Sequence, residues 1–77
     1  MEKIEVNALW NEAGKPQPSR FKWKGTVYDV ETTGRQWNDE DGYHILCSVK
    51  EKGTFELIYQ EDQGWYLDYR PPNRHYV

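Results

Sequence analysis

The chain has 77 residues, a formal net charge of −3 and a hydrophobic share of only 36%, yet four Trp, six Tyr and two Phe supply twelve aromatic rings. That length holds one small domain, and a core made of a few large rings suits a β-fold better than a helical bundle, which needs Leu and Ala. The single cysteine, Cys47, excludes the internal disulfide framework of a small secreted domain, and the acidic balance speaks against a dedicated nucleic-acid binder.

The first ten residues alternate as a strand does. Ile4, Val6, Ala8 and Trp10 share one face, against Lys3, Glu5 and Asn7 on the other. This segment carries acids and no long apolar run, so neither a signal peptide nor a membrane anchor is expected, and the cytoplasm is the expected compartment. Chain breakers fill Asn11–Pro18. Residues 20–31, RFKWKGTVYDVE, then read as a hairpin turning at Lys24-Gly25, where Gly25 supplies the positive φ. That turn sets Trp23 opposite Thr26, Lys22 opposite Val27, Phe21 opposite Tyr28 and Arg20 opposite Asp29. Phe21, Trp23, Tyr28 and Val30 form one apolar face, while Arg20, Lys22, Val27, Asp29 and Glu31 form the other. Basic residues interleaved with aromatics suit single-stranded nucleic acid, but here the rings and the cations fall on opposite sides.

Thr32–Trp37 reads as a bent continuation of the preceding strand, with Gly34 at a bulge. Asn38–Gly42 is an acidic turn. An EF-hand loop would put Trp37 and Ser48 at its first and twelfth ligand positions, so the calcium pattern fails. Tyr43–Lys50 and Thr54–Gln60 then pair around Glu51-Lys52-Gly53. This register sets Val49 opposite Phe55, Cys47 opposite Leu57 and Ile45 opposite Tyr59. Glu61–Gln63 with Gly64 closes a last hairpin, facing Tyr59 with Trp65, Leu57 with Leu67 and Phe55 with Tyr69. Pro71-Pro72 stop the last strand and leave 71–77 as a short C-terminal tail. The expectation is an all-β single domain over 1–77. Five or six short antiparallel strands form a meander, curled into a strongly bent sheet or a small SH3-like barrel, with the strand order open.

Little catalytic chemistry is offered. His44 and Cys47 are three apart, which on a strand points them to opposite faces, so they cannot share a metal. Cys47 belongs to the core, where a thiol is inert. His44 reads as a solvated outer-face residue, and Glu56 and Asp68 as outer-face neighbours in solvent. No Ser-His-Asp or Cys-His pairing and no glycine-rich phosphate loop is found. No enzyme, cofactor or metal is therefore expected.

Recognition is the remaining class. The register above makes Leu46 face Ile58 and Ile58 face Tyr66, a row of large apolar groups on the outer side that something should cover. The cover is either the tail, through Tyr76 and Val77, or a second copy or protein partner. Trp65–Arg70 would also offer an edge for strand addition. A self-association or protein-interaction module is the first reading. The alternative is a nucleic-acid accessory module using Arg20, Lys22 and Lys24, joined by Lys15, Arg70 and Arg74, with Trp10 or Trp37 stacking on bases.

Arg20-Phe21-Lys22-Trp23-Lys24-Gly25, then Tyr28-x-Val30, Trp37, Phe55-Glu56-Leu57 and Gly64-Trp65-Tyr66-Leu67 span most of the chain. This pattern resembles a small bacterial family of unknown function whose members show R-F-x-W-R-G, Y-x-V, a Trp, an aromatic-E-L stretch and G-W-x-L. Some members are associated with proteins of the translesion-polymerase type. The resemblance implies a DNA-repair accessory setting, although lysine replaces arginine on the basic face and the Trp37–Tyr43 stretch is compact and acidic.

Overall fold

Side-chain alternation becomes strand structure along nearly the whole chain. The computed structural model describes residues 1–69, and these form seven strands and no helix. They are β1 (Glu2–Trp10), β2 (Pro16–Trp23), β3 (Thr26–Asp29), β4 (Thr32–Asp39), β5 (Gly42–Val49), β6 (Gly53–Gln60) and β7 (Gly64–Asp68). All pairings are antiparallel, in the order β3-β2-β1-β7-β6-β5-β4. The tail at 71–77, with Arg70, Arg74, Tyr76 and Val77, lies outside the described residues.

β1 is the strand on which the sheet turns. Its start, Glu2–Ile4, pairs with Leu67, Tyr66 and Trp65 of β7, while Glu5–Trp10 pairs with β2. The result is a strongly curled half-barrel. Ring contacts measure the curl. Two strands separate β2 from β6, yet Phe21 and Phe55 lie 5.3 Å apart across the concave side. Ile4, Phe21, Ile45, Cys47, Val49, Phe55, Leu57 and Leu67 fill that side, with Val6, Trp23, Tyr28, Val30, Tyr43, Trp65 and Tyr69 packed against them.

The opening hairpin has the pairing its sequence dictates: Arg20 with Asp29, Phe21 with Tyr28, Lys22 with Val27 and Trp23 with Thr26. Lys24 (φ 52°) and Gly25 (φ 79°) both take positive φ, as a two-residue turn of the primed type requires. The last hairpin also keeps its expected register, with Tyr59 opposite Trp65 and Leu57 opposite Leu67.

Three expectations are corrected. The strand count is seven, because 32–39 leaves β3 and forms a strand of its own against β5; the expected irregularity lies between Thr33 and Gln36. The β5–β6 register is shifted by two residues from the one expected, with Val49 opposite Gly53, Cys47 opposite Phe55 and Ile45 opposite Leu57. The turn is made by Lys50–Lys52. Lys52 N–H donates to the Val49 carbonyl at 3.0 Å, and Glu51, not a glycine, takes φ 67°. A shift of two preserves the pleat, so every core side chain keeps its face. The third correction concerns β7, which is a central strand between β1 and β6. Its edge is consumed by β1 and cannot receive an added strand; the sheet ends at β3 and β4.

Candidate functional site: an aromatic cleft with an acidic rim

The expected interface row does not assemble as drawn. Leu46 pairs with Glu56, and Ile58 pairs with His44 on one side and Tyr66 on the other. Ile58 is 1% exposed, and Leu46 and Tyr66 are half-buried. Ile58 therefore sits between the buried His44 and the half-buried Tyr66, with Leu46 outside the row.

The basic hairpin face has its cations engaged in different ways. Arg20 pairs with Asp29 at 2.9 Å. Lys22 stands between Glu5 of β1 and Val27 of β3. The Lys24 ammonium sits 5.0 Å from the centroid of the Trp23 ring. Lys15 does not join these cations; it lines a different cleft, among acids. Trp37 is half-buried and stacked on His44 at 4.9 Å, with the Arg35 guanidinium 5.0 Å from its ring centroid.

His44 is the largest departure from the sequence reading. It is only 5% exposed, where a solvated side chain was expected. Its Nδ1 meets Glu56 Oε2 at 2.5 Å and its Nε2 meets Asp41 Oδ1 at 2.6 Å. Burial by itself would lower the imidazole pKa, but hydrogen bonds from the ring to Asp41 and Glu56 outweigh it and hold the pKa above the ordinary value. The same hydrogen bond holds Asp41 below the usual carboxylate range. Asp39, Asp41 and His44 bring three potential ligand atoms within 4.8 Å of one another. Both ring nitrogens are already engaged by carboxylates, Nδ1 by Glu56 and Nε2 by Asp41. The cluster is therefore an ion-pair clamp tying the β4–β5 turn to β6. Cys47 lies in the core on the opposite face of β5, its thiol pushed up to about 12 by burial.

A second aromatic group lies at the other end of the half-barrel from Phe21 and Phe55. Asn11 builds its wall. The Asn11 side-chain oxygen accepts from the backbone N–H groups of Ala13 (2.9 Å) and Lys15 (3.0 Å). Two backbone bonds at 2.9 Å, Asn11 N–H to Lys15 and Gly14 N–H to Asn11, complete the loop. This tight connection delivers Lys15 to Tyr43, with the ammonium 4.9 Å from the ring centroid. Tyr43 is anchored by its hydroxyl, which donates to Gln36 Oε1 at 2.6 Å.

Trp10 closes the other side. It is 54% exposed, and its ring stands edge-on to Tyr59 at 5.1 Å and 78°. Tyr59 in turn packs on Trp65 at 5.1 Å. Trp10, Tyr43 and Tyr59 line an open cleft of about 340 Å³, with Asp39, Glu40 and Glu61 on its rim. Gly42 forms part of the floor with φ 134°, and a Cβ there would lie 2.5 Å from the Tyr59 carbonyl oxygen. Among the lining side chains three carboxylates face one ammonium, so the cleft carries a negative field over π-faces. Such a surface binds cations and repels phosphates.

Trp10 was legible in the sequence as a ring at the end of a strand, and Lys15 as a cation in a turn. Their meeting with Tyr43, Tyr59 and the acids was not, because these residues lie on four different segments. No family model matches the chain, and neither a curated protein nor a solved structure shows significant similarity to it.

Proposed function

We propose that this protein is a non-catalytic interaction module that docks a segment of a protein partner in the Trp10–Tyr43–Tyr59 cleft. The carrying observation is Trp10: a large ring left 54% exposed at the mouth of a cleft whose other walls are already ordered. Exposed tryptophan and tyrosine offer wide contact area at low entropic cost, which is why they recur in binding hot spots. The Leu46–Ile58–Tyr66 face supports docking less well, since Ile58 is covered. The nucleic-acid reading, and the repair setting implied by the family resemblance, are weakened by the Arg20–Asp29 ion pair of the hairpin and by the acids around Trp10.

The test is a selection from a displayed peptide library followed by NMR titration of the full chain. Selected peptides are expected to shift the Trp10 indole N–H and the amides of Lys15 and Tyr43, and Trp10→Ala is expected to abolish binding. Perturbations confined to Leu46 and Tyr66 would move the interface to the outer face. A salt-sensitive response to DNA at the Arg20–Lys24 hairpin would favour the nucleic-acid reading instead.

A further inference from the structure

The chemistry of the cleft names what it recognises. Its rings present π-faces and its rim presents three carboxylates, yet the one cation inside is the chain's own Lys15. An ammonium held over a tyrosine, beside an exposed tryptophan and under acids, is the arrangement by which aromatic sites take up alkylammonium groups. The geometry points to Lys15 as an internal occupant, seated where a lysine side chain of the partner binds and displaced by it. This rests on the cleft being the docking site, as proposed above.

Three further observations fit displacement. Lys15 is tethered by its backbone, through Asn11, and the bonds that hold the loop do not use its ammonium. Tyr43 is fixed by Gln36 independently of Lys15, so the ring stays in place when the ammonium leaves. The rim retains Asp39, Glu40 and Glu61 whichever lysine is seated, so the field over the rings stays negative when Lys15 leaves. The fold therefore carries a competitor of its own ligand. Affinity for the partner is reduced by the fraction of molecules in which Lys15 holds the site.

The experiment uses the full chain, Lys15→Gln and Trp10→Ala, each checked to retain a cooperative melting transition well above the assay temperature. The probes are three acetylated, amidated decapeptides taken from the selected binding sequence and differing at one central position: lysine, norleucine or glutamate. The lysine peptide is expected to bind about five- to tenfold more tightly than the norleucine peptide and to shift the Trp10 indole resonance. Lys15→Gln is expected to bind the lysine peptide severalfold more tightly than the wild type, with the glutamate peptide weakest throughout. Equal affinity for lysine and norleucine, with Trp10 still responding, would overturn the cation assignment while leaving the docking site intact. Weaker binding by Lys15→Gln would overturn displacement. Absence of any response at Trp10 would overturn the docking site itself, and the inference with it.

Discussion

The two ends of the half-barrel are built from the same material and come to opposite outcomes. At one end Phe21 and Phe55 are buried among Trp23, Tyr28 and Tyr69, half-buried rings whose centroids lie 4.8 to 6.3 Å from their neighbours. At the other end Trp10, Tyr43 and Tyr59 line an open cleft of their own. The difference is what lies between the rings. The β2–β3 hairpin supplies three of the five rings of the first group, Phe21, Trp23 and Tyr28. The Asn11–Lys15 loop reaches the second group with a lysine and a glycine, and the turns beside it supply Asp39, Glu40 and Glu61. Aromatic residues make a core where their neighbours are apolar, and a recognition surface where their neighbours are charged.

This contrast can be broken most severely at the closed end. Phe55→Ala removes a side chain that is 2% exposed and touches four rings, at a cost of about 3–5 kcal/mol in urea unfolding. For a domain this size that is a large part of the total stability, so broad, low-temperature melting is the expected sign. A loss under about 1 kcal/mol would show that this cluster is not the core of the fold. Next comes Gly42→Ala in the cleft floor. Positive φ and the approach to the Tyr59 carbonyl together cost about 2–4 kcal/mol, which calorimetry would register.

His44 joins the floor of the open end to the sheet, and its loss is a smaller effect. His44→Gln is expected to cost about 1–3 kcal/mol, because Glu56 and Asp41 lose a shared partner. Its pH signature is specific. His44's pKa is raised by folding, so its contribution is whole below the ordinary imidazole value of 6.5 and fades as pH rises through the raised value. Asp41's pKa is lowered, so its contribution is whole above the ordinary 3.8 and fades as pH falls through the lowered value. Stability measured against pH should fall off on both sides of this window in the wild type, and both limbs should flatten in His44→Gln.

The smallest stability effect belongs to the residue proposed to matter most for binding. Trp10→Ala removes one edge-on ring contact at an exposed site and should cost about 0.5–1.5 kcal/mol while abolishing peptide binding. If stability and binding instead declined together, Trp10 would belong to the core and the two ends would not differ in kind.

Much of the closed end can be read from residues near one another in sequence. The Lys24-Gly25 turn dictates that Phe21, Trp23, Tyr28 and Val30 share a face, and the structure has that pairing. Gly64 after an acidic turn likewise predicts Tyr59 opposite Trp65. The β5–β6 turn shows where such reading stops. Gly53 does take the positive φ (106°) that glycine chemistry favours, but it pairs with Val49 as the first residue of β6 while Glu51 (φ 67°) makes the turn, so the register slides by two, which alternation alone cannot detect. His44 shows a deeper limit. Its outward parity is correct, yet Asp41, Glu56 and Trp37 cover it from three directions, and an outward side chain is solvated only where its neighbours are short.

The sequence by itself determined which side of each strand is apolar, since the pleat alternates every residue and needs no knowledge of distant partners. Tertiary structure alone decided that β1 inserts beside β7 and bends between two sets of strands. That bend carries Trp10 to Tyr59 and Lys15 to Tyr43, pairs far apart along the chain. Such meetings depend on the summed twist and curl of the whole sheet, a property that no single segment encodes.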